Sequence, residues 1–252
     1  TMIAPGIRNR LNVVAVEEWP LYKKRPLVIA GPCSAESEEQ VLATAAALSA
    51  SGRVDLFRAG IWKPRTRPGQ FEGVGSPGLR WLRRVKDEYG LPVAVEVATE
   101  RHVYEALKHG VDAVWIGART SVNPFAMHEI ASALKDSDVM VFVKNPVNPD
   151  LELWIGALER ISRAGITRIA AVHRGFSTWE KCSFRNQPRW QIAVELRQRI
   201  PGIGLLCDPS HMGGDRDFIG DLSQKAMDLH YDGLMIESHI NPAGALSDRK
   251  QQ

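Results

Sequence analysis

Two groups of side chains in this sequence could do chemistry together. The first is cationic: Arg58, Lys63, Arg65, Arg119, Lys144 and Arg174, with the hydroxyl of Thr66 beside them. Arginine offers a planar fork that fits phosphate or carboxylate, and lysine serves as a point charge or proton donor. Gathered at one mouth, these like charges would repel one another unless anions sat among them. Such a set asks for more than one anionic group, for example two phosphates and a carboxylate. The second group joins the thiol of Cys33, the imidazole of His211 and carboxylates that include Glu237 and Asp248. Sulfur, nitrogen and oxygen donors in combination suit a borderline transition metal better than calcium or magnesium alone.

Taken singly, each residue also has an ordinary reading. Cys33 fits a small buried residue, and His211 a hydrogen-bonded structural histidine. Glu237 and Asp248 could be helix caps or rim salt bridges, and the basic run over 63–67 a solvated loop. Arg119 and Arg174 could pair with Glu96 and Asp208. Trp81, Trp154 and Trp190 lie in helical segments and read as packing residues. His102, His109 and His128 lie there too and receive no role; Cys182 and Cys207 read as structural thiols.

What could bring the two groups together is the pattern of elements around them. Short apolar, β-branched runs at 27–30, 54–58, 93–97, 113–116, 139–144, 168–172, 204–207 and 233–237 alternate with amphipathic stretches. Ser76-Pro77, Asn123-Pro124 and Asn148-Pro149 each set a capping side chain before a proline suited to a first helical turn. Ser37 and Gln40 have the spacing of a capping box. Gly52, Gly110 and Gly165 fall where helices want a left-handed terminal residue. Eight strand–helix units in one α/β domain predict a single (β/α)8 TIM barrel. The lack of a Gly-rich nucleotide loop argues against an open doubly wound sheet. Barrel chemistry sits at the C-terminal ends of strands, and there the sequence puts Cys33, Arg58, Glu96, Lys144, Arg174, His211 and Glu237. Nearly every strand delivers a charged or ligating group to one rim.

Composition narrows the function classes. The chain has 252 residues, 44% hydrophobic and 24% charged, with a formal net charge of +3. That is a soluble globular composition, and its scattered Lys and Arg give no nucleic-acid stripe. No apolar run approaches the roughly 20 residues that span a bilayer, and residues 1–19 lack the continuous apolar stretch expected of a signal peptide. Three cysteines without a CxxC pair fit a reducing compartment, so a cytoplasmic location is expected.

From about Arg25 to the end, the chain resembles the 3-deoxy-D-arabino-heptulosonate 7-phosphate (DAHP) synthases, and within them the short-barrel type Iβ branch. The resemblance rests on Ala30-Gly31-Pro32-Cys33-Ser34, Lys63-Pro64-Arg65-Thr66, Gly117-Ala118-Arg119, Lys144-Asn145, His173-Arg174-Gly175-Phe176, Asp208-Pro209-Ser210-His211 and Ala245-Leu246-Ser247-Asp248. The resemblance implies a metal-dependent condensation of phosphoenolpyruvate with erythrose 4-phosphate, the entry to the shikimate pathway. It implies Cys33, His211, Glu237 and Asp248 as ligands of a divalent metal. Mn2+ is the first choice, with Co2+, Fe2+, Zn2+ or Cd2+ as alternatives. Arg58, Lys63, Arg119, Lys144 and Arg174 would hold phosphoenolpyruvate, and Arg65 with Thr66 the phosphate of erythrose 4-phosphate. Lys63 would protonate the new alkoxide, and Glu96 would orient the attacking water.

The resemblance further implies a homo-oligomer and a chorismate mutase fused to or associated with the barrel. Residues 1–24 read as an N-terminal extension and 25–252 as the catalytic barrel, lacking its last helix or a C-terminal partner domain. If one ligand is displaced it should be Asp248, where the chain runs out. The sequence departs from the usual pattern at Arg67-Pro68-Gly69, at Thr120-Ser121-Val122-Asn123 and over 186–190. The related 3-deoxy-D-manno-octulosonate 8-phosphate synthases take arabinose 5-phosphate and usually carry Lys-Ala-Asn in the second-strand loop, where this chain has Lys63-Pro64-Arg65. A non-catalytic docking subunit for chorismate mutase is the rival from another class.

Overall fold

A computed structural model describes residues 11–63 and 65–252; the first ten residues of the expected extension, and Pro64 of the second-strand motif, lie outside the described residues. Eight parallel strands close into a barrel in chain order, with β8 paired back to β1. They are β1 (Leu27–Gly31), β2 (Leu56–Arg58), β3 (Val93–Glu96), β4 (Ala113–Ile116), β5 (Met140–Lys144), β6 (Ile169–His173), β7 (Gly204–Cys207) and β8 (Gly233–Glu237). Around them run α1 (Glu38–Ser51), α2 (Pro77–Tyr89), α3 (Glu100–Lys108), α4 (Ala118–Ser121), α5 (Pro124–Leu134), α6 (Leu151–Arg163), α7 (Trp190–Arg199), α8 (Pro209–Gly213) and α9 (Ile219–Asp228). Among the described residues, no helix is long and apolar enough to cross a membrane.

Strand alternation sorts the core and aims the site. Successive side chains point to opposite faces. One parity puts Ile29, Leu56, Ala94, Trp115, Phe142, Val172, Leu206 and Met235 in one buried cluster inside the barrel. The other puts Phe57, Val95, Val114, Val143, Ala171 and Leu205 against the helices. Two residues beyond each inward position come Gly31, Arg58, Glu96, Gly117, Lys144, Arg174, Asp208 and Glu237. The polar rim is therefore the top layer of the barrel interior, set by the same period that packs the apolar layers below. At the floor, Val16 and Trp19 seal the interior, with Trp19 edge-on to Phe142 at 5.6 Å.

The parity also explains two residues that leave the rim. His173 and Cys207 fall on the outward face and are fully buried among the helices. His173 Nδ1 pairs with the Tyr231 hydroxyl and Nε2 with the Pro188 carbonyl, between Trp154, Phe176 and Trp190. Cys182, expected to be structural, is instead exposed.

Helix starts follow local capping chemistry with two corrections. Ser37 accepts from Gln40 N, and Asn123 from Phe125 N and Ala126 N, as expected. Gln40 returns its side chain to Glu36 N, one residue before the reciprocal position. Ser76 makes no side-chain cap, and α6 starts on Asp150 rather than Asn148. Asp150 stands directly before the apolar run and accepts from Glu152 N and Leu153 N, so the nearer carboxylate takes the role.

Candidate metal and anion site

Cys33 is delivered by a backbone turn that needs glycine. Gly31 has φ +153°, and a Cβ there would lie 1.9 Å from the Arg58 carbonyl oxygen. Without a side chain, the end of β1 can press against β2. The following loop hydrogen-bonds to it, Gly60 N to Cys33 O at 3.1 Å and Ala35 N to Gly60 O at 2.8 Å. Glu237 ends β8 directly alongside, since Gly31 and Glu237 are register partners. Asp248 arrives on the tail in a left-handed conformation (φ 44°), one that Asp tolerates better than most residues.

The ligating atoms of Cys33, Glu237 and Asp248 all lie within 4.8 Å of one another. Cys33 Sγ is 3.3 Å from Asp248 Oδ2, and His211 Nε2 is 3.2 Å from Glu237 Oε1 and 3.8 Å from Asp248 Oδ2. Asp248 is thus gathered with the other three rather than displaced. Glu237 is 1% exposed, and its Oε1 has no hydrogen-bond partner among the described residues. A buried carboxylate oxygen left open toward a thiol, an imidazole and a second carboxylate fits a divalent cation. Burial, with Glu237 and Asp248 adding to it, pushes the Cys33 thiol up to about 11. A thiol in that setting becomes a thiolate only with a cation to offset the charge.

The imidazole is aimed from behind. Asp208 Oδ1 accepts from His211 N at 2.9 Å and Oδ2 from His211 Nδ1 at 2.8 Å. That places the proton on Nδ1 and leaves the Nε2 lone pair toward Glu237 and Asp248. Asp208 Oδ2 also accepts from Lys144 Nζ at 2.8 Å. Burial alone would raise the Asp208 carboxyl, but His211 and Lys144 hold it well below the usual range.

Next to this cluster lies a cavity of about 310 Å³, lined by Lys63, Arg65, Thr66, Arg119, Lys144, Arg174, Glu96, His211 and Asp248. Arg67 and Arg185 extend its cationic wall, with the neutral amide of Gln70 beside them. Arg58 lies deeper: it is 1% exposed, stacks on Trp115 at 4.4 Å, and leaves Nε and Nη1 without partners among the described residues. Burial lowers the Arg174 guanidinium to about 10, and Arg185 and Arg119 add to that against Asp208 and Asp248. A cation weakened by its neighbours gains most from a bound anion. Lys63 goes the other way: burial depresses its ammonium, but Cys33, Glu96 and Glu237 outweigh that and raise it. Glu96 accepts from Trp115 Nε1 at 2.9 Å; burial pushes its carboxyl up, yet Lys63 and Lys144 bring it below the ordinary value.

All twelve residues expected to carry chemistry meet at this rim. Four others escaped the sequence reading. Arg185 Nη1 donates to Asp248 Oδ1 at 3.1 Å, and Asn186 bonds Arg174 and the His211 carbonyl. Gln251 donates to Glu237 Oε2 at 3.0 Å, and Gln252 accepts from Cys33 N at 2.9 Å. They sit in loop or tail without periodicity, where neither pattern nor spacing marks them.

Fold and site together define a closed (β/α)8 barrel with a metal-type donor cluster beside an anion pocket. The chain belongs to the DAHP synthetase I family, whose profile matches residues 22–252. It is similar to the phospho-2-dehydro-3-deoxyheptonate aldolase of Thermotoga maritima, 36% identical over 224 residues, covering 89% of this chain and 64% of that protein. The crystal structure of the Thermotoga DAHP synthase superposes with a TM-score of 0.81 at 35% identity, over 90% of this chain and 64% of that one. A truncated form of the Thermotoga enzyme gives 0.77 at 32% identity, over 90% of this chain and 79% of its own. A 2-dehydro-3-deoxyphosphooctonate aldolase from Geobacter sulfurreducens is 30% identical over 247 residues, 89% of this chain and 85% of that protein.

Proposed function

We propose that this barrel condenses phosphoenolpyruvate with D-erythrose 4-phosphate to give DAHP and inorganic phosphate. The observation that carries the reading is that one cavity is lined both by His211 and Asp248 of the donor cluster and by Lys63, Arg65, Arg119, Lys144 and Arg174. The Thermotoga relative, which bears the matching activity in its name, supports the choice of substrates.

Cys33, His211, Glu237 and Asp248 would hold the divalent cation, Mn2+ first among Co2+, Fe2+, Zn2+ and Cd2+. Bound there, it supplies Lewis acidity to the aldehyde oxygen of erythrose 4-phosphate. Arg58, Lys63, Arg119, Lys144 and Arg174 hold the phosphate and carboxylate of phosphoenolpyruvate, and Arg65 with Thr66 the phosphate of the aldose. Fixed charges at both ends bring the methylene carbon to the aldehyde carbon. As that carbon–carbon bond forms, Lys63, kept protonated by its anionic neighbours, gives its proton to the alkoxide. Glu96, kept ionised beside it, orients a water that adds at the cationic C2 and takes up the water's proton. The C2 hydroxyl then gives its remaining proton to the bridging phosphate oxygen as the C2–O bond breaks with its electron pair, leaving the C2 ketone of DAHP and inorganic phosphate. The proposal extends to a homo-oligomer with a chorismate mutase fused to or associated with it, as the sequence resemblance implies.

The test supplies Mn2+-loaded protein with phosphoenolpyruvate and either erythrose 4-phosphate or arabinose 5-phosphate. Phosphoenolpyruvate should disappear, with phosphate released, in the presence of erythrose 4-phosphate. Consumption only with arabinose 5-phosphate would move the assignment to octulosonate synthesis. No consumption with either sugar would leave a docking subunit.

A further inference from the structure

Residues 185 and 186 belong to the segment between β6 and α7, and neither is among the ligands or substrate cations above. Their side chains nonetheless reach both halves of the site. Arg185 Nη1 donates to Asp248 Oδ1 at 3.1 Å and to Gln251 Oε1 at 2.8 Å. Asn186 Oδ1 accepts from Arg174 Nη1 at 3.0 Å, and its Nδ2 donates to the His211 carbonyl at 2.7 Å.

Their backbone is fixed as firmly as their side chains. Arg185 N donates to Gly213 O and Asn186 N to Met212 O, each at 3.1 Å, which seats the pair on α8, the helix that carries His211. On the other side Gly175 has φ +84°, and a Cβ there would stand 2.8 Å from Asn186 Cβ. Only a glycine lets the segment pass so near the residue following Arg174.

We infer that Arg185 and Asn186 are positioning residues, Arg185 aiming the Asp248 carboxylate at the cation site and Asn186 aiming the Arg174 guanidinium into the anion pocket. The inference rests on the function proposed above. Asp248 turns Oδ2 toward Cys33 and His211, so Arg185 on Oδ1 fixes which oxygen faces the cluster. A ligating carboxylate held from its far oxygen is a recurrent way to orient a metal ligand. Asn186 performs the matching task for an arginine, taking one Nη1 donor so that the fork is held in a single plane. By its contact with the His211 carbonyl it also references that arginine to the ligand helix.

The two roles separate by binding measurements that need no turnover. Chelator-treated protein is titrated with Mn2+ alone, and metal-free protein with phosphoenolpyruvate alone, both by calorimetry. Arg185→Gln should weaken Mn2+ roughly tenfold and phosphoenolpyruvate by a clearly smaller factor, since Arg185 also lines the anion pocket, with Arg185→Lys recovering part of the Mn2+ loss. Asn186→Ala should weaken phosphoenolpyruvate about tenfold, the usual scale for a lost charge-assisted hydrogen bond, while Mn2+ affinity changes little. Circular dichroism checks that each variant is folded, and Arg185→Lys carries the test if Arg185→Gln is not. Equal losses of both affinities in every variant, or no loss in any, would overturn the inference. A wild-type protein that binds neither Mn2+ nor phosphoenolpyruvate would instead overturn the proposed function itself.

Discussion

Asp208 grips His211 at two points, accepting its backbone N–H at 2.9 Å and its Nδ1 proton at 2.8 Å. The ring is thereby fixed with Nε2 facing Glu237 at 3.2 Å. Asp208→Asn should disturb that tautomer and leave the buried Lys144 ammonium without its carboxylate. Mn2+ affinity is expected to fall by about 10–100-fold, the range typical of lost outer partners of metal-bound histidine. Titration of chelator-treated protein reads it, and an unchanged affinity would show that Asp208 does not orient the ring.

Arg58 keeps Nε and Nη1 buried, without a partner among the described residues. Such donors cost free energy until an anion takes them. Phosphoenolpyruvate should therefore raise the thermal midpoint of the wild type, by about 2.7 kcal/mol of stability at a hundredfold excess over Kd. Arg58→Met should lose most of that response. Scanning fluorimetry with and without phosphoenolpyruvate checks it, and an equal shift in both proteins would remove Arg58 from the binding set.

His173 supplies a pH signature of the fold. Burial lowers its imidazole from 6.5 to about 4, with Arg174 adding to the effect against the Pro188 carbonyl. Between those values the unfolded chain binds a proton that the folded one refuses, so stability falls as pH drops from about 6.5 toward 4 and levels off below. The full loss is up to about 3 kcal/mol. His173→Phe should be less stable than the wild type at pH 7.5 yet lose less on acidification. Urea unfolding across that range tests it, and parallel curves for the two proteins would contradict it.

Gly31→Ala probes the approach of β1 to β2. Its Cβ would meet the Arg58 carbonyl oxygen at 1.9 Å, and backbone has no rotamer with which to escape. We expect a loss of about 1–3 kcal/mol from overpacking, and weaker Mn2+ binding because Cys33 follows two residues on. Stability near wild type would show that the strand ends can part at little cost.

Much of this architecture is legible in the sequence because period and parity are local. The run at 139–144 contains β5 (Met140–Lys144), and counting by twos from Phe142 to Lys144 already puts the lysine inside the barrel. The same count puts His173 outside, a step that motif matching alone overlooks. Capping is legible where one side chain competes, as at Ser37 and Asn123, and shifts where two stand close, as at Asn148 and Asp150. Arg185, Asn186, Gln251 and Gln252 were not legible. Their partners belong to other elements, Arg185 and Asp248 being 63 residues apart and Gln252 and Cys33 219, and only closure of the barrel brings them together. The tail also holds Asp248 in the cluster through Gln251 and Arg185, which a reading of a chain running out could not anticipate.

The central claim is that Cys33 holds a catalytic cation beside the anion pocket. Its most direct test follows phosphoenolpyruvate consumption by chelator-treated wild type and Cys33→Ala, each with erythrose 4-phosphate, before and after addition of Mn2+, with circular dichroism as a check of the fold. Mn2+ should restore turnover to the wild type alone, while the variant keeps its barrel and stays inactive. A folded Cys33→Ala protein that responds to Mn2+ like the wild type would contradict it.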